Sequence, residues 1–540
     1  MKQTRANASI RFAMTKVVIT GGGGYVGYHI GWALSRGGHP VTLLDLKPPD
    51  PEWSKTAPRA LWDSLPPGFW SEETPDPGPL EFVEGSVTNP HDLQTHFEGA
   101  EAVIHTASYG MSGRDQLTPH APMQEKVNIE GTREVIEAAV KAKVRALVHT
   151  STYNVIFGGD EIVKGDETMP FYPIHTHTDY YSVTKAIAER LVLMADGKCD
   201  LPATPSTPGP HAAPQPRLCP LRTCSLRMNG VMGLGEKQHS PRIISAMRSG
   251  LLVFAFGRRD GLTDFIGIQN AVQAHLKAMK ALLKEQSLST QDFPAIPSTS
   301  GKILSCEKEE GPIPSSGDSS PSSLSKSDRV ASSSSGASEP TVASRLEDVS
   351  ACTVGSNSLS VLPSRVSSPS SSTPTVASKS KAPVACTETS NPSSGPTRVA
   401  SKPSVSGQAF FINDAAPVSY FDYFQPLFEG LGYSFPAVTL PLYLILVAAY
   451  IQAVIYCLVH KFFPFSPFVT PSEAYKSVTH YCSSRKAMEA FDYSPTRPND
   501  LKQMVEYYRA RGCTNKMRFV SLMPVALCFL LPLLVFVVVI

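Results

Sequence analysis

The 540-residue chain lacks a charge imbalance, a clustered set of cysteines and a secretory leader. Its formal net charge is +2 and only 18% of its residues are charged, so the composition gives no reason to expect a nucleic-acid partner. The 10 cysteines are scattered without a C-x-x-C pair, which favours reduced thiols in the cytosol over a disulfide framework and predicts no metal site. Residues before Met14 are basic but contain no apolar segment, so we expect no secretory signal.

A glycine-rich stretch is the strongest local feature that the chain does have. Thr20–Gly27 reads T-G-G-G-G-Y-V-G and lies between the apolar run Val17–Ile19 and an apolar helical pattern that reaches Leu34. Strand, glycine turn and helix form the start of a βαβ unit, in which glycines let the backbone approach a pyrophosphate at the helix N-terminus. The spacing T-G-x-x-G-x-x-G is a variant of the dinucleotide-binding fingerprint. The predicted cofactor contacts in this loop are Gly21, Gly24, Tyr25, Val26 and Gly27.

The next apolar run supports a dinucleotide site. Val41–Leu44 ends on Asp45, where an acidic side chain can accept a hydrogen bond from an adenine ribose. Because a carboxylate at this place would repel the 2′-phosphate of NADP, Asp45 predicts NAD as the cofactor.

Apolar strand-like runs alternate with helical patterns along the first part of the chain. Further runs are Leu80–Val83, Ala102–Ala107 and Ala146–Thr150, and a helical pattern spans Gln124–Ala142. This alternation predicts an α/β fold with a doubly wound parallel sheet, the Rossmann arrangement. Ligands bind at the carboxyl ends of such strands, so the hydroxyl groups of Thr150–Thr152 fall at the predicted site.

Tyr181 and Lys185 lie four residues apart in a helical segment that continues to Val192, which places both on one face of a helix. By itself, a Y-x-x-x-K pair is typical of a solvated helix with a snorkelling lysine. Together with a dinucleotide loop and a hydroxyl-bearing strand end, it predicts a functional site beside the bound dinucleotide. A tyrosine has an unperturbed pKa of about 10, too high for a base at neutral pH, and a nearby ammonium and a positive nicotinamide would lower that pKa.

These segments together resemble the extended short-chain dehydrogenase/reductases, in particular the branch of 3β-hydroxysteroid and sterol-4α-carboxylate dehydrogenases, and within it family 42E. The resemblance covers about Met14 to Arg511 and implies a smaller C-terminal substrate domain beside the NAD-binding domain. The motifs that carry it are Thr20–Gly27, Thr150–Gly159, Asp179–Glu189, Phe410–Tyr433 and Pro467–Tyr481.

The resemblance also implies roles for individual residues. Tyr181 would be the acid/base, and Lys185 would lower its pKa while holding the nicotinamide ribose. Thr152 would bind the substrate oxygen, with Ser151 as the weaker candidate. Asn128 matches the helix asparagine of the wider family, although a structural role explains it equally well.

Several positions depart from the family pattern, among them Met232–Gly235, which replaces the usual Tyr-Gly-Pro-Gly. Ser86 follows Gly85 where an adenine-contacting Asp is usual, and Met228 stands where a proline is usual. Gly267 and Gln269 replace a His-x-Asp phrase. We expect the loss of one adenine contact to cost about 1–3 kcal/mol of cofactor binding.

Two interruptions set the predicted organisation of the chain. Residues 196–220 form a Pro-rich insertion, and residues 286–406 are rich in serine and proline but poor in aromatic and bulky aliphatic residues, so they are predicted to be disordered. The predicted regions are a flexible arm at 1–13, the NAD-binding domain with substrate-domain segments at 14–285, the long insertion at 286–406, the rest of the substrate domain at 407–519 and a tail at 520–540.

Two apolar stretches occur near the C-terminus. Val520–Ile540 is long enough to cross a bilayer, since 20 helical residues span about 30 Å, and we predict a transmembrane helix there. Leu440–Val459 is nearly uncharged, but the segment after it matches the part of the family that packs back on the substrate domain. We therefore predict that Leu440–Val459 lies in the membrane interface or re-enters it instead of spanning it. By the resemblance, the membrane is that of the endoplasmic reticulum and the catalytic domain is cytosolic.

The sequence thus predicts an NAD-dependent, membrane-attached enzyme that oxidises a 3β-type hydroxyl of a steroid or sterol to a ketone. A nucleotide-sugar epimerase or reductase shares the fold and the Tyr/Lys pair, but its polar substrate gives no reason for membrane segments. A nucleotide-binding regulatory protein that acts through its Ser/Pro-rich insertion is the third alternative. The predicted partners are the steroid or sterol and membrane lipid, and a homodimer is compatible with the resemblance.

Overall fold

Seven parallel strands form the central sheet of the computed structural model, which describes residues 15–56, 76–199, 220–252, 254–291, 402–463, 465–496 and 501–514. From one edge to the other the strands are β3 (Leu80–Glu84), β2 (Val41–Asp45), β1 (Val17–Thr20), β4 (Ala102–His105), β5 (Ala146–Thr152), β7 (Arg222–Met228) and β12 (Gln408–Ile412). The strand order reverses between β1 and β4, which is the topological switch point of a doubly wound sheet. The predicted Rossmann sheet is confirmed.

Helices cover both faces of this sheet, and further helices pack in separate apolar clusters beside it. In chain order they are α1 (Tyr25–Arg36), α2 (Trp53–Thr56), α3 (Pro90–Phe97), α4 (Ala121–Glu125), α5 (Gly131–Lys141), α6 (Tyr180–Met194), α7 (Ser240–Arg248), α8 (Ile268–Gln291), α9 (Gln425–Gly430), α10 (Leu442–Val459), α11 (Pro471–Ala474), α12 (Arg485–Phe491) and α13 (Lys502–Ala510). A π-helical turn at Lys126–Glu130 joins α4 to α5, so the predicted helix over Gln124–Ala142 is present as a continuous helical segment.

The alternation of side chains along each strand explains the two-layered core. Val17 and Ile19 pack in one apolar cluster with α1 and α8, whereas Val18 packs in another with α3, α5 and α6. All three side chains are fully buried, as expected for a parallel strand covered on both faces. Helix starts follow local sequence as well, since Asp179 caps α6 by accepting a hydrogen bond from the Ser182 amide at 2.8 Å.

The long insertion is shorter than the sequence predicts, because residues at both of its ends belong to the packed fold. Helix α8 continues to Gln291, and the buried Gln286 within it accepts a hydrogen bond from Arg145 at 2.5 Å. On the return, the buried Val405 donates its amide hydrogen to Glu285 at 2.7 Å. The predicted limits of the insertion at 286 and 406 therefore lie inside packed structure. At these limits the end of helix α8 and the returning chain are held by hydrogen bonds.

The residues after the insertion do not form a separate domain. Strand β12 pairs with β7 in register from Gln408 to Ile412 and completes the central sheet. The first residues after the predicted boundary at 407 therefore belong to the same sheet as the glycine loop. The remaining strands are β6 (Ile162–Gly165), β8 (Gly230–Met232), β9 (Phe254–Phe256), β10 (Leu262–Thr263), β11 (Phe265–Gly267), β13 (Val418–Ser419), β14 (Val438–Leu440) and β15 (His480–Cys482). They build a small sheet, β13-β10-β15-β6, and two strand pairs, β11-β8 and β14-β9. The small sheet contains strands from before and after the insertion, and so does the β14-β9 pair.

Helix α10 corresponds to the predicted apolar stretch Leu440–Val459. Its buried side packs on the fold through Ile445, Ala448, Ala449, Gln452 and Tyr456, and 28% of the helix is buried. Among the described residues, α10 is the one helix whose length and composition would allow it to cross a membrane. The chain after it returns to the same fold, because β15 pairs with β6 and β10.

The arm at 1–13, the tail at Val520–Ile540 and most residues of both predicted insertions lie outside the described residues. The predictions made for them stay predictions.

Candidate active site

The glycine loop connects β1 to α1 at the switch point of the sheet. Gly21 has φ +75°, and a Cβ atom there would lie 2.5 Å from the Ala107 backbone nitrogen, so only glycine fits. A side chain at Gly27 would collide with the Gly21 carbonyl oxygen. Gly24 is the N-cap of α1 and has no side chain that could cap the helix, so the first amide groups of α1 stay available to an anion.

Asp45 stands beside this loop at the end of β2, as predicted. Its Oδ2 accepts a hydrogen bond from the Gly23 amide at 3.1 Å, and its Oδ1 accepts one from the Leu46 amide at 2.7 Å. Burial raises the pKa of Asp45, while these backbone amides act in the opposite direction. The carboxylate is thus fixed at the mouth of the loop, where a ribose hydroxyl group can reach it.

The loop forms one wall of a cavity of about 260 Å³. The cavity contacts all five glycine-loop residues predicted from the sequence, and also Thr152 and Tyr181. The structure therefore brings the predicted cofactor loop and two of the three predicted catalytic residues to one place. A cradle that a Cβ atom would fill, a free helix N-terminus and a fixed carboxylate together fit a dinucleotide such as NAD.

Lys185 lies one helical turn after Tyr181 on α6, and both side chains are buried. Lys185 Nζ donates to the Thr150 carbonyl oxygen at 2.7 Å and lies 2.9 Å from His149 Nε2. Both partners belong to β5, so the strand fixes the position of the ammonium group. Burial lowers the pKa of Lys185 to about 7, and the negative charge of Glu189 raises it.

The pKa of Tyr181 is shifted in the opposite direction to that of Lys185. Burial raises the pKa of its phenol, Asp179 raises it further, and a hydrogen bond with the Ser108 side chain lowers it. A phenolate at this place therefore needs added positive charge before it can act as a base.

The two hydroxyl groups at the end of β5 differ in their surroundings. Ser151 Oγ donates to Glu189 Oε2 at 2.5 Å, and Glu189 is paired with Arg227 at 2.6 Å in the interior. Thr152 Oγ1 only accepts a long hydrogen bond, at 3.3 Å, from the Asn154 amide. The Thr152 hydroxyl therefore keeps a proton available for a substrate oxygen, which fits the role that the resemblance implies for it.

Asn128 clamps the backbone around the site. Its side chain accepts from the Tyr109 amide at 2.8 Å, donates to the Tyr109 carbonyl oxygen at 2.9 Å and donates to Thr184 Oγ1 at 2.9 Å. These bonds tie the loop after β4 to α6 and support the structural alternative for Asn128.

The positions that depart from the family pattern lie in different surroundings. The Ser86 amide donates to Asp92 at 2.9 Å, and Met228 is buried at the end of β7, where it lines the cavity. The Gly267 amide donates to Asp414 at 2.9 Å. Gln269 is partly buried at the start of α8.

A second cavity of about 120 Å³ adjoins the first and shares six lining residues with it: Gln238, His239, Ile243, Tyr420, Phe424 and Lys476. Its other walls are mostly aromatic and aliphatic, with Leu252, Phe254, Phe256, Phe421 and Phe428 among them. Sequence reasoning missed these residues, and it also missed Ser108, Asn154 and Asp264 in the first cavity. They come from several separate segments with no shared local motif, so only the fold assembles them.

The sequence was compared with known protein families and structures. The model of the 3-beta hydroxysteroid dehydrogenase/isomerase family matches residues 18–294. The chain belongs to this family. Its proteins are NAD-dependent oxidoreductases, and NAD is the cofactor of this member.

Relatives of this 3-beta hydroxysteroid dehydrogenase family member match between about half of the chain and nearly all of it. Short-chain dehydrogenase/reductase family 42E member 1 of Macaca fascicularis is 31% identical over 92% of this chain and 88% of its own length. The sterol-4-alpha-carboxylate 3-dehydrogenase (decarboxylating) of Candida albicans is 29% identical over 52% of this chain and 68% of its own length. The solved structure of gox2253 has a TM-score of 0.50 at 15% identity and covers 93% of this chain and 100% of its own, which supports the fold alone.

Proposed function

We propose that this protein is an NAD-dependent dehydrogenase that oxidises a 3β-type hydroxyl group of a steroid or sterol to a ketone. The observation that carries the proposal is the cavity in which Tyr181 and Thr152 face the glycine loop, joined to a second cavity whose walls are mostly aromatic and aliphatic. The first cavity supplies polar groups for a hydroxyl, and the second supplies apolar surface for a hydrocarbon body.

Oxidation of the hydroxyl group needs a hydrogen-bond donor to the substrate oxygen and an acceptor for the hydroxyl proton. Thr152 would donate to the substrate oxygen, and Tyr181 would accept the hydroxyl proton as the carbonyl forms. NAD, when bound, accepts the hydride from the carbon. Lys185 would supply positive charge against the burial and the Asp179 charge that raise the pKa of Tyr181. Atoms balance because the alcohol loses one proton and one hydride.

The apolar cavity favours a sterol over a nucleotide sugar. A sugar nucleotide brings hydroxyl and phosphate groups, and each one that lies against the phenylalanine side chains would lose a partner at a cost of about 1–3 kcal/mol. Two of the charged residues in the lining, Arg242 and Glu473, are already paired with each other. A fused hydrocarbon ring system loses no hydrogen bonds there and gains about 25 cal/mol for each Å² of apolar surface that leaves water.

Helix α10 supports a membrane-bound setting. The side of the helix that faces away from the fold exposes large apolar residues, among them Leu444, Val447, Tyr450, Val454 and Leu458. Such a continuous apolar surface suits a lipid interface. Since the chain on both sides of α10 packs on the same fold, an interfacial helix is more consistent with this geometry than a spanning one. We further propose attachment to the endoplasmic reticulum with the catalytic fold in the cytosol.

NADH formation tests the proposal directly. Full-length protein in a mild detergent is supplied with NAD and with 3β-hydroxysterols, their 3α epimers and a nucleotide sugar. We expect NADH only with 3β-hydroxysterols and steroids. Oxidation or epimerisation of the nucleotide sugar alone would support the epimerase or reductase alternative. Because an epimerase returns the hydride and forms no net NADH, the sugar product is analysed by chromatography. NAD binding without turnover of any substrate would support the regulatory alternative.

A further inference from the structure

A polar row crosses the central sheet below the catalytic lysine. Thr20 on β1, His105 on β4, His149 on β5 and Ser225 on β7 are neighbours in register. The Thr20 hydroxyl lies 2.7 Å from His105 Nδ1, and the Ser225 hydroxyl lies 3.0 Å from His149 Nδ1. The two imidazole rings stack with centroids 5.5 Å apart. A strand in a sheet of this kind is normally apolar throughout, so the row needs an explanation.

His149 is the member of this row that reaches the active site. Its ring is fully buried, and its Nε2 lies 2.9 Å from Lys185 Nζ. An ammonium group has only donors, so Nε2 must accept from a charged Lys185. The hydrogen of the neutral ring then lies on Nδ1 and is donated to Ser225 Oγ. Burial, followed by the charge of Lys185, lowers the pKa of His149 well below its usual value, so the ring stays neutral.

This arrangement leaves Lys185 one free donor. The ammonium group has three hydrogens, of which one goes to the Thr150 carbonyl oxygen and one to His149. Both acceptors lie on β5, so the third hydrogen remains for groups outside the strand, where Tyr181 and the cofactor ribose would be.

We propose that His149 is a positioning residue for catalysis: it holds Lys185 in its charged form and directs the remaining N–H towards the cofactor and Tyr181. The proposal rests on the proposed dehydrogenase function, but it concerns a group that touches neither substrate nor cofactor. His149 acts through Lys185.

The charges around Lys185 determine the direction of the effect. An acceptor for the ammonium favours the charged form, so removing it lowers the pKa of Lys185. Burial already places this pKa at about 7, where a further decrease removes much of the charge at neutral pH. The other groups that face this region are His105 on β4, His275 on α8, Glu189 and Tyr181 on α6, and Arg227 on β7, which is paired with Glu189.

The test measures NAD binding by calorimetry between about pH 6 and pH 9, using the full-length protein in detergent. In His149→Phe, which keeps a ring but has no acceptor, we expect NAD binding roughly tenfold weaker at neutral pH, because a hydrogen bond to a charged group is lost. The pH at which affinity falls should also move to lower values. With a substrate at hand, kcat should fall about 10- to 100-fold, whereas KM for the sterol should not change.

Two further variants separate positioning from simple packing. His149→Gln can both accept from Lys185 and donate to Ser225, so it should restore most of the affinity and the pH midpoint. His275→Phe is the matched control: it removes another fully buried histidine, 2.8 Å from Thr150 Oγ1, that makes no bond to Lys185. It should leave the midpoint unchanged.

Equal midpoints in His149→Phe and the wild type would overturn the proposal, as would a His275→Phe variant that moves the midpoint equally or a His149→Gln variant that is no better than His149→Phe. If His149→Phe does not fold, Ser225→Ala replaces it. That variant removes the acceptor for Nδ1 and should move the midpoint in the same direction by a smaller amount, and an unchanged midpoint would then refute the positioning role. Since NAD binding needs no substrate, failure to oxidise any sterol would count against the proposed function and not against this inference.

Discussion

The glycine-loop side of the site, here called the nucleotide half, and the second cavity, here called the substrate half, are assembled from the chain in different ways. In the nucleotide half, a short continuous segment defines the site, because Gly21, Gly27 and Asp45 occupy backbone positions set by β1, α1 and β2. In the substrate half, the cavity walls come from α7, β9, the segment around Tyr420 and the chain near Lys476. Local sequence can specify the first kind of site, whereas the second exists only after distant segments have packed.

The difference shows in how each half uses polar groups. Around Tyr181 and Lys185, buried groups such as Glu189, Arg227 and Asn128 form hydrogen bonds with side chains of neighbouring elements. The second cavity is instead enclosed mostly by aromatic and aliphatic side chains, with the paired Arg242 and Glu473 among the lining residues. We expect the polar half to be sensitive to single-atom changes and the apolar half to tolerate changes that keep volume.

The largest expected effect is on turnover in the polar half. Tyr181→Phe removes only the phenol oxygen, so kcat should fall by about 10²–10⁴-fold, the range for a lost general base. NAD binding should persist because the glycine loop is untouched. The measurement is NADH formation alongside calorimetric NAD titration. Normal turnover by this variant would refute Tyr181 as the acid/base.

The next effect is on stability. Arg227 and Glu189 form a buried ion pair at 2.6 Å, and each side chain is at most 4% exposed. Arg227→Met leaves the Glu189 charge without its partner, so we expect a loss of about 3–5 kcal/mol of unfolding free energy. Chemical denaturation measures this loss.

A double variant provides the control for the ion pair. Arg227→Met combined with Glu189→Leu removes both charges and should be clearly more stable than Arg227→Met alone. If the double variant is as unstable as the single one, packing of the Arg227 side chain against Phe171 and Phe411 explains the loss, and not the unpaired charge.

How much could be read from the sequence follows the same division. The sheet, the glycine loop, Asp45 and the Tyr181/Lys185 helix were predictable because strands and helices leave periodic apolar patterns and the loop has fixed glycine spacing. The seventh strand was not, since β12 follows the long insertion and its neighbour β7 precedes it. The bond from Lys185 to His149 also escaped prediction, because a histidine within an apolar strand carries no signal of its partner on a helix.

The third effect concerns cofactor choice. Wild-type protein should bind NAD at least tenfold more tightly than NADP, a difference of about 1.4 kcal/mol. Asp45→Asn keeps the hydrogen-bonding oxygen but removes the charge that repels the 2′-phosphate, so this preference should nearly disappear. The control is Glu81→Gln on the neighbouring strand β3, which removes an exposed charge away from the loop. Equal NAD and NADP affinities in the wild type would remove Asp45 from this role.

A smaller effect is expected on membrane attachment. Val447 and Val454 are about half exposed on one side of α10, seven residues and thus two helical turns apart. In protein without residues 520–540, attachment should be weakened but retained, and adding Val447→Glu and Val454→Glu should release it into the carbonate-soluble fraction. The matched control is Val163→Glu, at an exposed valine on β6, which should change nothing. A truncated protein that is already fully soluble before these substitutions would show that α10 has no lipid contact.

The smallest effect should come from removing the long insertion, and its success depends on where the cuts are made. Glu285 holds both ends together, because its carboxylate accepts from the Val405 amide at 2.7 Å and from Ser404 Oγ at 3.0 Å. A short Gly/Ser linker in place of residues 293–400 therefore has little distance to cover and keeps these bonds. Because a shorter loop costs less entropy to close, the melting temperature should be equal or slightly higher, and NAD affinity should not change. Cutting instead at the boundaries read from the sequence, 286–406, removes Gln286 and the buried Val405 and should lower the melting temperature. If both deletions behave alike, the contacts at Glu285 contribute nothing, and if the shorter deletion also destabilises the protein, the insertion itself packs on the fold.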